Sequence, residues 1–378
     1  MRRRWGTVLL VVVSVLGTVV LVDVVFLVAR GPVRTLEDFY EPHPQFGYRM
    51  QPQAEFLFAS PYHGYSAKVR TNSRGLRDDQ VIVPKPAGVL RILLLGDSMT
   101  AGLEVRKEET FEAVCEQRLR VHGPVEVVNA GVRGYNLDNI LLFFENEGAS
   151  YAPDVVVYLF VENDLKSAAE LSPNTLDRSR GFTLSGIAGR LAAYSHLTLR
   201  FIYLRQMLRL RRERDRVEGD VRQVNVPHGL YEMLRNPRYA EGPAYRSSAA
   251  RIATLARTCE RSGADFLLAG APHQPEIDPE SQAWWRRYLA GNTPLNFDGV
   301  RSYLDWVATL HAIQRFDPVP AFRRAWRSGQ TYWFHKDDHL NARGHRLLGE
   351  QLAEHIEGMP RFQAWKATLT SSPEASRR

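Results

Sequence analysis

The chain has 378 residues, with a hydrophobic fraction of 44% and an aromatic fraction of 10%. That is ample material for a core in one large or two small domains, and it excludes a disordered or fibrous chain. The formal net charge of +7 suits an anionic surface such as a membrane face or an acidic polymer. No zinc spacing or RNA-binding motif accompanies that charge, so no nucleic-acid partner is expected.

Residues 1–30 read as a targeting segment. Arg2, Arg3 and Arg4 precede an apolar run from Val8 to Val22, which resumes after Asp23 as far as Ala29. The run is long enough to span a bilayer. The arginines should stay on the cytoplasmic side and place the rest of the chain outside the cytoplasm. No small-x-small cleavage site follows, so an uncleaved signal-anchor in the cell membrane is expected. Residues 31–85 are rich in Pro, Gly, Tyr and Phe and read as a linker and a small β-rich extension. Tyr65–Thr71 alternates like a strand, and Asn72-Ser73-Arg74-Gly75-Leu76-Arg77 reads as a turn with no chemistry of its own.

From Arg91 the pattern becomes strand, helix, strand, helix. Strands are expected at Ile92–Leu95, Val125–Asn129, Val155–Phe160, Phe266–Leu268 and Ile313–Phe316. Helices are expected at Glu108–Arg120, Asp138–Glu147, Tyr245–Ser262, Arg301–His311 and Ala342–Glu357. Right-handed crossovers would stack these as a three-layer α/β/α sandwich on a parallel sheet. The main domain is set at residues 86–360, interrupted by an insertion at 165–243. Within the insertion, Leu197–Arg216 forms an arginine-rich amphipathic helix, best read as an ordinary helix with a solvated basic face. Residues 361–378 read as a disordered tail. Cys115 and Cys259 fall in helical patterns and read as buried free thiols.

Four stretches carry chemistry. Arg91–Leu95 is a short apolar run that breaks into Gly96-Asp97-Ser98 and then turns helical. That layout presents Ser98 at the carboxyl edge of a parallel sheet with its hydroxyl exposed, and its N–H free near a helix start. Asn129-Ala130-Gly131-Val132-Arg133-Gly134 follows the second strand, and its glycines let the backbone come close to a ligand, so Gly134 N–H is a candidate donor to an oxyanion. Val161-Glu162-Asn163-Asp164 follows the third strand, and Asn163 offers a side-chain amide N–H. Near the C-terminus, Asp337-Asp338-His339-Leu340-Asn341 sets carboxylates beside a histidine just before a helix. A carboxylate on one ring nitrogen fixes the tautomer, and the other nitrogen can take the Ser98 proton. Side chains two apart can share one side of a turning segment, which favours Asp337 over Asp338.

Taken together and in this order, the four stretches resemble the SGNH hydrolases, the GDSL-type esterase and lipase superfamily. The resemblance covers about residues 86–357, apart from the insertion. It implies a flavodoxin-like sandwich and cofactor-free, metal-free ester hydrolysis or acyl transfer. Ser98 is implied as nucleophile, His339 as base and Asp337 as its acid. The Ser98 and Gly134 N–H groups and Asn163 are implied as the oxyanion hole. The family's usual Gly-x-Asn-Asp is Val161-Glu162-Asn163-Asp164 here, and its commoner Asp-x-x-His spacing would put Lys336 in the acid's place, so the Asp-x-His form with Asp337 is adopted. The expected function is a membrane-anchored serine esterase acting on acyl esters, O-acetyl first, carried by an envelope glycan or a lipid. The alternatives are an O-acyltransferase of an envelope glycan and a non-catalytic polysaccharide-binding scaffold.

Overall fold

The computed structural model describes residues 10–25 except 12 and 16, 39–60, 64–165, 242–288, and 295–371 except 328, 335 and 336. The chain divides into two units, residues 1–39 with 174–220 and residues 40–173 with 221–378. In the first unit the described residues between 10 and 25 are helical, and their apolar side chains are exposed, Leu10 to 70% and Leu21 to 63%. Among the described residues no helix is long and apolar enough to cross a membrane. The expected spanning helix is therefore not found. The described part, residues 10–25, is shorter than the ~20 residues a bilayer needs, and the rest of the expected run lies outside the described residues. So does the insertion from residue 166 to 241, with its arginine-rich segment.

The second unit opens with two antiparallel hairpins. β1 (Tyr40–His43) pairs with β2 (Gly47–Met50), and β3 (Glu55–Ser60) pairs with β4 (Tyr65–Arg70). Five parallel strands follow: β5 (Leu90–Gly96), β6 (Val125–Gly131), β7 (Val155–Phe160), β8 (Asp265–Gly270) and β9 (Gln314–Phe316). Their order is β6-β5-β7-β8-β9. The chain runs from β5 to one side and then returns to the other, so the sheet has its switch point at the carboxyl ends of β5 and β7, where open α/β sheets bind ligands.

Alternation along the strands builds two cores. Leu90, Ile92 and Leu94 of β5 join Val125 and Val127 of β6, and Val155 and Val157 of β7, in one cluster. That cluster takes in Phe111, Cys115 and Leu119 of α2 (Phe111–Leu119) and Leu348, Leu352 and Ile356 of α9 (Ala342–Glu357). Leu93, Leu95, Val156 and Tyr158 point the other way. On that side lie α3 (Leu137–Asn146), α4 (Pro243–Arg261) and α7 (Gly299–His311), with Phe144, Ile252 and Leu304 fully buried. The result is the expected three-layer sandwich. Cys115 and Cys259 are both buried and free.

The helical start expected after Gly96-Asp97-Ser98 is α1 (Ser98–Ala101), while α5 (Gln274–Ile277), α6 (Pro279–Tyr288) and α8 (Val319–Ala325) were not expected. The tail needs correcting. Residues 360–371 form α10 (Pro360–Ser371), because Phe362 inserts fully into the α2–α9 core and Trp365 packs against it. The burial of Phe362, with Trp365 half-buried beside it, outweighs the polar composition of the stretch. Residues 372–378 lie outside the described residues.

Candidate active site

Register brings three loops to one level. Gly96 pairs with Gly131 on β6 and with Leu159 on β7, so the β5, β6 and β7 ends leave the sheet together. Gly96 has no room for a side chain: a Cβ would meet Thr100 Oγ1 at 2.1 Å. Without a side chain there, Thr100 can pack against the Gly96 backbone and the chain turns straight into α1. Asp97 caps α1, its Oδ1 accepting from Met99 N–H at 3.0 Å. Ser98 is the first residue of the helix, where a backbone N–H has no intrahelical acceptor. Ser98 is 7% exposed, so the expectation of an exposed hydroxyl is corrected: His339 and Asp97 are packed against it.

The histidine arrives on a small hairpin. Trp333 bridges Leu340, Phe334 N–H donates to His339 O at 3.1 Å, and Asn341 N–H donates to Tyr332 O at 2.9 Å. Asn341 then caps α9, accepting from Arg343 and Gly344 N–H. This frame sets His339 Nε2 2.9 Å from Ser98 Oγ and His339 Nδ1 2.6 Å from Asp337 Oδ1. Asp337 Oδ1 also accepts from His339 N–H at 3.0 Å. Asp338 Oδ1 stands 3.7 Å from Nδ1, and its side chain is 45% exposed against 11% for Asp337. Ser98, His339 and Asp337 are thus brought together, with Asp338 at the margin. Lys336 lies outside the described residues.

The two loops expected to line the site behave differently. Gly134 takes a left-handed φ of 79°, which a side chain would strain. Asn163 Nδ2 donates to Asp97 Oδ2 at 2.9 Å. The same Oδ2 lies 3.3 Å from Ser98 Oγ. Asp97 is fully buried, and burial raises its pKa while the bonds from Asn163 and Met99 oppose the shift. One buried carboxylate therefore connects the serine, the α1 start and the asparagine, a role the sequence reading did not assign. The following Asp164 accepts from Tyr158 OH at 2.7 Å and from Val161 N–H at 3.1 Å.

A second carboxylate was also missed. Glu104 Oε1 lies 3.7 Å from His339 Nε2, and the residue is 3% exposed. Burial disfavours charge on His339, but Glu104, the Asp337 bond and Asp338 outweigh it and hold the ring's pKa at about 10. Burial pushes the Glu104 carboxyl up, opposed by His339. The loop carrying Glu104 is clamped from the N-terminal extension. Arg77, itself buried, donates to Ala101 O at 2.9 Å, to Gly102 O and to Val105 O at 2.5 Å. The Asn72–Arg77 turn thus bears on the site, contrary to expectation. Glu104 also lines a cleft of about 450 Å³ shared with Tyr65, Thr331, Phe334, Asn341 and Arg343. Among the described residues, Asp337, Asp338 and His339 are the one group with ligand atoms close enough to share a metal ion, within 4.8 Å of one another. Nδ1 of that histidine is already bonded to Asp337.

The sequence profile of the GDSL-like lipase/acylhydrolase family matches residues 94–347, which contain all of these groups. The chain belongs to that family. It is accordingly a carboxylic ester hydrolase by class. No curated protein matches the chain. Solved structures similar to it include TesA, at 16% identity and a TM-score of 0.40, covering 71% of this chain and 98% of that one. The lipase/acylhydrolase from Enterococcus faecalis is 15% identical with a TM-score of 0.40, over 71% of this chain and 96% of its own. The acetyl xylan esterase AlAXEase is 14% identical with a TM-score of 0.40, over 71% of this chain and all of its own.

Proposed function

We propose that this protein is a serine esterase in which Ser98 attacks an acyl carbonyl, His339 carries the proton and Asp337 holds the ring. The observation behind this reading is the continuous relay of 2.6 Å from Asp337 to His339 Nδ1 and 2.9 Å from His339 Nε2 to Ser98 Oγ. Neutral His339, with Nδ1–H on Asp337, takes the Ser98 proton on Nε2 as Oγ bonds to the carbonyl carbon. Charge develops on the carbonyl oxygen. The Ser98 and Gly134 N–H groups and the second amide hydrogen of Asn163 receive it, the first hydrogen being held by Asp97. His339 then protonates the leaving alcohol. Water, activated by the same nitrogen, releases the acid from the acyl-enzyme. A glycan hydroxyl in place of that water would make the reaction an O-acyl transfer.

The substrate proposed is a short acyl ester, O-acetyl first, on an envelope glycan, with lipid esters second. The polar and aromatic lining of the cleft supports a hydroxyl-rich alcohol. We also place the enzyme outside the cytoplasm, attached to the membrane by its N-terminal segment. The support is Arg2–Arg4 ahead of the apolar run from Val8 to Ala29. A C-terminal reporter active only in the cytoplasm would refute this placement.

The test of the chemistry is labelling with a fluorophosphonate probe and hydrolysis of an aryl acetate. Wild type should do both. Ser98→Ala should stay folded, take no label and lose roughly 10³-fold or more in rate. Wild-type protein inert in both assays would favour a non-catalytic polysaccharide-binding scaffold.

A further inference from the structure

We propose that the Glu104 cleft is the alcohol-side subsite of the esterase, and that Glu104 selects a polyol there by bonding a hydroxyl next to the acylated oxygen of a glycosyl unit. This rests on the esterase reading above and adds a residue and a location to it.

Position comes first. His339 Nε2 must protonate the leaving oxygen, so the alcohol part of the ester has to lie against that nitrogen. Glu104 Oε1 is 3.7 Å from it. A substituent on the carbon beside the leaving oxygen therefore falls within reach of the Glu104 carboxylate. The loop is held on both sides of Glu104 by Arg77, through the carbonyls of Ala101, Gly102 and Val105. A group fixed in this way loses little freedom when it binds.

The unmet bonding of Glu104 comes next. Its Oε2 is buried and has no hydrogen-bond partner among the described residues. A buried acceptor left unpaired is costly, and a donor from the ligand removes that cost. A sugar hydroxyl is such a donor. The alkyl chain of a fatty alcohol is not, and would bury the carboxylate with nothing to bond. Sites built this way discriminate against analogues lacking the hydroxyl.

The remaining walls fit the same ligand. Tyr65 and Phe334 meet edge to face, with ring centroids 5.2 Å apart. They offer aromatic surface to the apolar face of a sugar ring. Thr331, Asn341 and Arg343 complete the lining with polar groups.

The experiment compares two acetates of equal ring size on the full-length protein. One is a monoacetylated methyl pyranoside with a free neighbouring hydroxyl, and the other is cyclohexyl acetate. The readout is the ratio of kcat/KM for the pyranoside to that for the cyclohexyl ester, in wild type, Glu104→Gln and Glu104→Leu. Any effect of Glu104 on His339 is common to both esters and cancels in the ratio. Wild type should favour the pyranoside. Glu104→Leu should lower the ratio by about 10- to 100-fold, the loss of one hydrogen bond to a charged group. Glu104→Gln keeps an acceptor without the charge and should lower it by about 5-fold. A ratio that stays within twofold of wild type in both variants overturns the proposal, as does wild type without preference for the pyranoside. Should Glu104→Leu lose its fold by circular dichroism, the isosteric Gln variant decides alone. Wild type that hydrolyses aryl acetate and takes the fluorophosphonate label, but shows no such ratio, loses the subsite and keeps the esterase. Wild type inert to both probes loses both.

Discussion

Replacing Glu104 by Gln should move the pH profile of the enzyme downward, and the structure gives the sign and the size. His339 has to be neutral to accept the Ser98 proton, yet its surroundings hold its pKa at about 10, far above the 6.5 of a free imidazole. Wild-type kcat/KM for an aryl acetate should therefore climb with pH well beyond 7. Glu104 is the largest of the groups that favour the charged ring. At 3.7 Å and an effective dielectric of ~20, one charge acting on another is worth about 4 kcal/mol, or about 3 pKa units. That is an upper figure, because burial raises the Glu104 pKa and His339 keeps some solvent contact. The rising limb should fall by between about 1 and 3 units in Glu104→Gln. At neutral pH the variant should then outrun wild type on aryl acetate by about 10-fold or more, since more of its His339 is neutral. The assay is kcat/KM against pH from 5 to 11, with the rate of fluorophosphonate labelling as a second measure of the same ionisation. A limb that stays in place or moves upward would refute the electrostatic argument.

Three further outcomes follow from the geometry. Asp337→Asn should cost up to about 10⁴-fold in rate by releasing the His339 tautomer, while Asp338→Asn, at 3.7 Å and half exposed, should cost under about 10-fold; steady-state kinetics on folded variants decides, and the reverse order would reassign the acid. Arg77→Met should leave three carbonyls without their donor and destabilise the fold by about 3 kcal/mol, read as a Tm lowered by about 6–12 °C, with Tm within 2 °C of wild type refuting the clamp. His273, buried beside Glu162, has a folded pKa raised to about 9: burial opposes charge, but the carboxylates of Glu162, Glu276 and Asp338 outweigh it. Its contribution to stability is full below the free value of 6.5 and is lost as pH rises through about 9. Wild-type Tm should fall between pH 7 and pH 9.5, and His273→Gln should flatten that decline.

The sandwich was legible because its strands are short apolar runs ending at turn residues. Val155–Phe160 and Ala342–Glu357 were bounded to the residue. The four motif stretches could be read because each sits at a strand end or a helix start, where backbone geometry restricts the choice of residue. Glu104, Arg77 and Asp97 were not legible as site residues. Arg77 acts 24 to 28 residues away in sequence, on carbonyls that carry no side-chain signal. Asp97 caps α1, and its second bond, from Asn163, spans 66 residues. Glu104 lies beyond the motif, in a stretch whose only pattern is Gly-Leu-Glu-Val. α10 was missed because a single aromatic residue, Phe362, carries its anchorage.

The departure from the family's Gly-x-Asn-Asp has a physical account in the fold. Val161 stands where the family's usual pattern has glycine. The next residue, Glu162, turns inward, fully buried, with Oε2 3.0 Å from His273 Nε2. Asn163 bonds Asp97 after β5, and Asp164 bonds Tyr158 within β7. Three successive loop residues are thus tied to three different parts of the sheet edge, and the loop is fixed without the glycine. The tie through Glu162 depends on charge. As His273 loses its proton near pH 9, Glu162 is left buried beside a neutral ring, and the attraction that holds the loop weakens. His339 becomes a competent base only as pH approaches about 10. The step that frees the base and the step that loosens the Asn163 loop therefore fall in nearly the same range. Wild type should show a narrow alkaline optimum. Glu104→Gln, which lowers the first ionisation and leaves the second, should widen that optimum toward neutral pH from its acid side alone.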